Sequence, residues 1–457
     1  MPTYQKTLVP DSSNAEAGGV IAPFGYVTES GLLIWEGADA DGLIQIYAYN
    51  SSTGVTSPVS DNHDDHRAGL PWDSNDAGAV VFECYSGPPV SNHQCFLYDG
   101  TAATLIGGSN ATEVYSPGIN NDGDRVCCSW CGGGFGTWIF LTSGADQLTV
   151  AGEWDPRQHR FEWCAVNNNR DVCYLAMDLQ TGLEQLHVWS QGNDVPLGGS
   201  DGHVIGCSMN NKGWVAWCER TGDPSHVIRG TFLYDGAGTT QVLPALADPL
   251  SFVLNDRGQF LYETGTCKKT DVRLWQNGTL TTVSATGKSF NRSASMNNLG
   301  EIVWSAGDDW PAETSTGIYQ DVRDDIYYSD NGGPPELIAS PGMCPTVNDL
   351  GQVVYWDPDA RQLVLLTPTG VRPFFRRFWR YLLRVWIWPL WRPFARRRWL
   401  ASFDRSRCVQ PPRPSAPSQT RPQPVPVRPL AAASLQNLSA RGRRLHGLGR
   451  PRLPARP

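Results

Sequence analysis

One turn recurs along this chain and constrains its fold more than any other feature. Met209-Asn210-Asn211-Lys212-Gly213, followed by Trp214 to Trp217, reads as a strand end, a tight turn and a second strand closing on an aromatic ring. Asn and Gly tolerate the positive φ that such hairpin turns require. Related turns begin at Thr28, Asn75, Asn120, Asn167, Asn255, Asn297 and Asn348, so eight copies stand 42 to 51 residues apart. Seven residues after each start comes Trp35, Phe82, Tyr174, Trp217, Tyr262, Trp304 or Tyr355, and in the third copy Cys127. Two copies are worn: Asn167-Asn168-Asn169-Arg170 lacks the glycine, and Thr28-Glu29-Ser30-Gly31 keeps only that.

A second signature lies downstream in each unit. Phe96-Leu97-Tyr98-Asp99-Gly100 and Phe232-Leu233-Tyr234-Asp235-Gly236 are its clearest forms, a short apolar run ended by turn residues. A last short strand such as Gln241-Val242-Leu243 often follows. Four short strands in roughly forty-odd residues is the arithmetic of a propeller blade. The expected fold is therefore all-β, a β-propeller of four-stranded blades, with eight blades preferred over seven plus a stray hairpin. Residues 1–19 are expected to be a leader without structure, 20–375 the propeller with its last strand at Val371 to Phe375, 376–403 an Arg/Trp-rich segment, and 404–457 a disordered tail. The aromatic shared by the units reads as blade core, because a position repeated in every unit is a packing position.

Pro117-Gly118-Ile119-Asn120-Asn121-Asp122-Gly123 and Pro345-Thr346-Val347-Asn348-Asp349-Leu350-Gly351 carry a resemblance. With the aromatic and the Tyr-Asp-Gly run that follow, the pattern resembles the repeats of TolB-like bacterial propellers and of HAF-type exported bacterial proteins. It departs from the TolB-like form in having Asn-Asn or Asn-Asp where that form has Ser-Pro-Asp. The resemblance implies that the strand before each Asn turn is innermost. It also implies that the loops leading into those strands crowd one channel mouth, where propellers commonly bind partners.

The polar residues of those loops form the candidate ligand site: His63, Asp64, Asp65, His66, Arg67, Glu113, Arg157, His159, Arg160, Glu162, Asp201, His203 and Arg292. Residues 63–66 contain metal-ligand and acid–base residue types, although a solvated loop is the better account of them. No Gly-x-Ser-x-Gly elbow, phosphate loop or His-Glu-x-x-His occurs, and nothing implies a cofactor. The reading is a monomeric, non-catalytic binding scaffold for a protein or saccharide ligand. A hydrolase or lyase at the channel mouth, or a lectin-like propeller, are the alternatives, since fold alone does not decide.

The net charge of −8 conceals two unlike parts. Residues from Val371 onward carry 20 Arg, no Lys and a single acid, Asp404, for +19, leaving the first 370 residues at −27. An acidic body repels phosphates, which argues against nucleic acid on the propeller and favours cationic partners. Arg376, Arg377, Trp379, Arg380, Arg384, Trp386, Trp388, Arg396, Arg397 and Arg398 mix charge with aromatics as an anionic membrane surface or an acidic partner would require. Docking on the acidic propeller, or GC-rich coding translated without a selected role, fit that composition too. The first residues contain no apolar leader and no run is long enough to span a membrane, whereas the resembled families are exported. Of the twelve cysteines, Cys84/Cys95, Cys164/Cys173 and Cys207/Cys218 sit where hairpin partners would, as disulfides or as buried thiols. Cys128 and Cys131 make a lone Cys-x-x-Cys without a second pair at zinc spacing.

Overall fold

The computed structural model describes residues between 3 and 369, except 16–24, 61–65, 87–92, 107–112, 131–136, 154–158, 222–227, 245–251, 309–322 and shorter breaks at 145, 200–201 and 267–268. The described strands form eight four-stranded antiparallel sheets. Blade 1 is typical, running Gly25–Val27, Leu32–Ala38, Ile44–Asn50 and Val55–Pro58 from inside outward. The innermost strands of blades 2 to 8 are His66–Ser74, Glu113–Ile119, His159–Val166, Gly202–Met209, Phe252–Leu254, Phe290–Met296 and Met343–Val347. Each inner strand ends at an Asn turn, and consecutive blades pack on one another until blade 8 meets blade 1, where Thr346 Oγ1 donates to Gly25 O at 3.2 Å.

Blade 8 corrects the expectation for both ends of the propeller. Its inner three strands are Met343–Val347, Val353–Asp357 and Gln362–Pro368, and its outermost strand is Tyr4–Leu8 from the N-terminus. Tyr4 pairs with Pro368 and Leu8 with Val364. Residues 4–8 are thus a strand rather than part of a leader. The expected last strand at Val371 to Phe375 lies outside the described residues, as does everything from 370 on. The pairing rests on backbone hydrogen bonds, and the exposed outer position leaves no apolar alternation to read in Tyr-Gln-Lys-Thr-Leu. Lys6 Nζ fixes the register on Asp357 Oδ2 at 2.9 Å, and Ser12 Oγ receives Leu363 N at 2.9 Å. Taking this strand from the N-terminal residues covers the edge of Gln362–Pro368.

The shared aromatics are core, as expected: Trp35, Phe82, Tyr174, Trp217, Tyr262, Trp304 and Tyr355 are all at most 5% exposed. Five of them stack on the residue directly opposite on the third strand. The ring centroids are 5.7 Å apart for Trp35 and Tyr47, 5.6 Å for Phe82 and Phe96, 4.9 Å for Tyr174 and His187, 5.5 Å for Trp217 and Phe232, and 5.8 Å for Trp304 and Tyr327. Each such pair contributes roughly 1 kcal/mol beyond its burial.

The Asn turns do more than reverse the chain. The Asn210 carboxamide oxygen receives the N–H groups of Lys212 and Trp214, both at 3.0 Å, which closes its own turn. Its Nδ2 donates to Asn255 O in the next blade at 2.9 Å. The same inter-blade bond links Asn75 to Asn120, Asn120 to Asn167, Asn167 to Asn210, Asn255 to Asn297, Asn297 to Asn348 and Asn348 to Thr28, at 2.7–3.3 Å. Where the fifth turn residue is polar it takes Nδ2 as well, as Asp124, Asp171, Gln259, Glu301 and Gln352 do. Making all of these bonds takes a side chain with both an acceptor and two donors; Thr28 in blade 1 accepts Leu32 N with its hydroxyl at 3.1 Å but has no Nδ2 to offer. The turn glycines take φ of 74–87°, whereas Arg170 in the worn fourth copy adopts 66°.

Asn210 is 4% exposed, so Asn210→Asp would set a carboxylate against a backbone carbonyl. Unfolding in urea is expected to show a loss of about 2–3 kcal/mol. Thr28→Asn, which restores the missing donor, is expected to add about 1 kcal/mol.

Candidate functional site

The two mouths of the channel are built differently. At the turn mouth, the second residue of every turn reaches the channel rim: Glu29, Asp76, Asn121, Asn168, Asn211, Asp256, Asn298 and Asp349. All eight carry a side-chain oxygen, placed to accept the backbone N–H of the second turn residue in the preceding blade. The bonds run Asp76 to Asn121, Asn121 to Asn168, Asn168 to Asn211, Asn211 to Asp256, Asp256 to Asn298, Asn298 to Asp349 and Asp349 to Glu29, at 2.7–3.0 Å. Behind this rim lies a cavity of about 650 Å³. Its wall includes Asp73, Trp163, Cys164, Cys207 and Ser208.

Asp73 is a carboxylate set in this wall. It accepts Ile119 N of blade 3 at 3.1 Å and Ser74 N at 2.8 Å. Burial nevertheless pushes its carboxyl up to about 6, against the opposing pull of those two N–H groups. The same wall position carries Ser208 in blade 5 and Ser295 in blade 7, whose hydroxyls accept Leu254 N and Val347 N from the next blade. Asp73 therefore does the structural work of a serine with a charge added.

At the opposite mouth the structure describes part of the predicted set. His63, Asp64, Asp65, Arg157 and Asp201 lie outside the described residues. His66, Arg67 and His159 are placed by their backbone alone, at the start of the inner strands of blades 2 and 4. Glu113 opens the inner strand of blade 3 opposite Trp130. Arg292 stands apart in blade 7, held by Asp324 through Nε at 2.8 Å and Nη2 at 2.9 Å.

The remaining three gather on blades 4 and 5. Arg160 Nε is 3.8 Å from Glu162 Oε1, and its guanidinium lies over the Tyr115 ring at 5.8 Å from the centroid. His203 Nδ1 is 3.6 Å from Oε2 of Glu184, which also receives Val204 N at 3.0 Å. Burial first, and then the nearby Glu184 charge, raises the Glu162 carboxyl above the ordinary range, with Arg160 opposing. Glu184 also lines a groove of about 500 Å³ on blade 4, together with Phe161, Tyr174, Asp178, Gln185 and His187. There His187 Nδ1 meets Asp194 Oδ2 at 3.0 Å while its ring stacks on Tyr174. Burial, reinforced by Asp194, holds the Tyr174 hydroxyl far above its usual range, so it stays protonated.

Sequence reasoning did not single out Asp73, Glu184, His187 or Asp194. They lie on strands, outside the loops from which the candidates were drawn. Tyr174 was found, but as core, which it also is. Among the described residues no group of three His, Cys, Asp or Glu side chains is arranged to hold a metal ion, and no helix is long and apolar enough to cross a membrane. The tail residues picked for a membrane or acidic partner, from Arg376 to Arg398, lie outside the described residues.

The register also corrects the cysteine pairing. Cys164 stands opposite Tyr174 and Cys173 opposite Ala165; Cys207 opposite Trp217 and Cys218 opposite Gly206; Cys84 opposite Gln94 and Cys95 opposite Glu83. Each expected pair is one residue out of step, which puts its two thiols on opposite faces of the blade. All nine described cysteines are free thiols.

This geometry defines an eight-bladed β-propeller whose last blade takes its outermost strand from residues 4–8. No protein-family model matches the chain, and no curated protein matches its sequence. Among solved structures it is similar to the Dos1 propeller at 9% identity and a TM-score of 0.53, covering 81% of this chain and 96% of that one. It is also similar to prolyl oligopeptidase B from Galerina marginata at 8% identity and a TM-score of 0.50, covering 77% of this chain and 53% of that one. At these identities the likeness is one of fold.

A carboxyl raised by burial favours the folded state only while it is protonated. Asp73 should therefore cost stability as pH rises from about 4 through about 6. Asp73→Asn keeps an acceptor for Ile119 N and loses the charge. Thermal unfolding is expected to show the variant more stable than the parent at pH 7.5, with the difference closing by pH 4.

Proposed function

We propose that this chain is a binding scaffold that engages a cationic partner at the mouth formed by blades 4 and 5. The observation that carries this reading is the convergence of Glu162 and Glu184 beside a groove that also contains Asp178. Phe161 and Tyr174 in that groove are 6% and 4% exposed, so they form a floor and offer no open platform for stacking a sugar. Carboxylates above an apolar floor suit an ammonium or guanidinium group. The charge of −27 over the first 370 residues steers such a partner toward the surface. The likeness of the Asn-turn repeats to TolB-like and HAF-type propellers supports the same reading, as those folds commonly engage partners at this mouth.

An active site in the same groove is the competing reading. It is favoured by the imidazole–carboxylate pair of His187 and Asp194 beside a buried Tyr174 hydroxyl, and propeller domains accompany catalysis in the peptidase named above.

Fluorescence anisotropy of labelled hexalysine at low ionic strength separates specific from diffuse attraction. Glu162→Gln with Glu184→Gln is expected to weaken binding about fivefold or more, as lost charge-assisted contacts would. Asp308→Asn with Asp359→Asn, which removes the same charge from exposed sites on other blades, is expected to change it less than twofold. Equal losses in the two variants would reduce the attraction to net charge and end the reading.

A further inference from the structure

The thiols that are out of step within blades meet between them. Cys127 and Cys128 are neighbours on the second strand of blade 3, Arg125–Trp130, and alternation turns them to opposite faces. Cys127 packs among Val81, Cys95 and Val114, toward blade 2. Cys128 packs with Phe161, Cys164 and Tyr174, toward blade 4. The sulfurs of Cys128 and Cys164 are 3.5 Å apart. On the other side of blade 4, the thiols of Cys173 and Cys207 share a hydrogen bond across to blade 5. Cys164 belongs to the wall of the 650 Å³ channel cavity, which opens at the turn mouth. A small solute in the channel thus comes alongside Cys164, which is 3% exposed and whose thiol packs against Cys128 in the blade 3–4 seam.

We propose that Cys128 and Cys164 are a modification site, oxidised by a small peroxide entering the channel to a disulfide that locks blade 3 to blade 4. The Cys164 sulfur attacks one oxygen of hydrogen peroxide. The O–O bond breaks, the departing hydroxide takes the thiol proton as water, and Cys164 becomes a sulfenic acid. The Cys128 sulfur then displaces the sulfenic hydroxyl, which leaves with the Cys128 proton as a second water. Two thiols and one peroxide give one disulfide and two waters, with both electrons passing from sulfur to oxygen. The sulfurs close from 3.5 Å to about 2.05 Å, the length of the bond formed. Burial, with the Cys128 thiol beside it, holds the Cys164 thiol well above its ordinary range. The thiolate is the nucleophile, so oxidation is slow at neutral pH and faster in alkaline solution. The bond closes a loop between positions 36 apart in the chain. It is expected to raise Tm by ~5 °C.

The experiment treats the full chain with hydrogen peroxide, blocks remaining thiols with N-ethylmaleimide, and maps unreduced peptides by tandem mass spectrometry. The expected result is a Cys128–Cys164 link, two hydrogens lighter than the dithiol, that forms faster at pH 9 than at pH 7 and disappears with dithiothreitol. Cys127→Ser should keep the link. Cys128→Ser should abolish it and leave a Cys164 sulfenic acid that dimedone traps. The parent chain alone can overturn the proposal: Cys164 carried to sulfinic acid while Cys128 stays alkylatable, or Cys128 or Cys164 linked to any other cysteine, would each do so.

Discussion

The propeller depends on a single side chain used many times. In seven of the eight turns an Asn carboxamide closes its own hairpin with its oxygen and grips the next blade's backbone with its nitrogen. A blade is a small twisted sheet with two apolar faces and cannot stand alone. Packing between blades buries those faces but is not directional. The carboxamides supply the direction, since each fixes where the next inner strand ends, and the rim bonds of the following residues repeat the constraint one layer further out. The ring then needs only one closure, which Tyr4–Leu8 provides in blade 8.

The same economy shapes what the channel can offer. Much of the polarity at the turn mouth is committed to backbone: the rim oxygens accept N–H groups, and Asp73, Ser208 and Ser295 cap inner strands of neighbouring blades. At the other mouth, inner strands begin and the repeat relaxes, so side chains there answer to fewer packing demands. Glu162, Glu184 and His203 lie in that freer zone, whereas the His187–Asp194 pair sits further along blade 4 toward its Asn turn. The thiol pairs belong to a third environment, the dry seams between blades, where small apolar side chains are needed and a cysteine fits as readily as an alanine or valine.

Periodicity made much of the fold legible. An Asn-x-x-Gly turn at near-constant spacing, with an aromatic seven positions on, announces both the number of units and their register, because the same local chemistry had to be satisfied in every blade. Tyr4–Leu8 was not legible, since a strand held by an exposed edge pairing leaves no side-chain pattern. The site was half legible. Arg160, Glu162 and His203 follow from the position of the inner strands, but Glu184 and His187 come from a third strand that only the folded blade sets beside them.

By itself the sequence determined the hairpins, the blade count, the core aromatics and the charge division between the first 370 residues and the rest, because each is a local or additive property of the chain. Only the tertiary structure decided which carboxylates share a groove and which blade both ends complete. It also decided which cysteines meet, and there the margin was one residue of register. Cys164 and Cys173 flank the same turn yet face opposite ways, while Cys128 and Cys164 come from different blades and lie 3.5 Å apart. Side chains alternate across a strand, so contacts between blades depend on the parity of register and on which blade packs beside which.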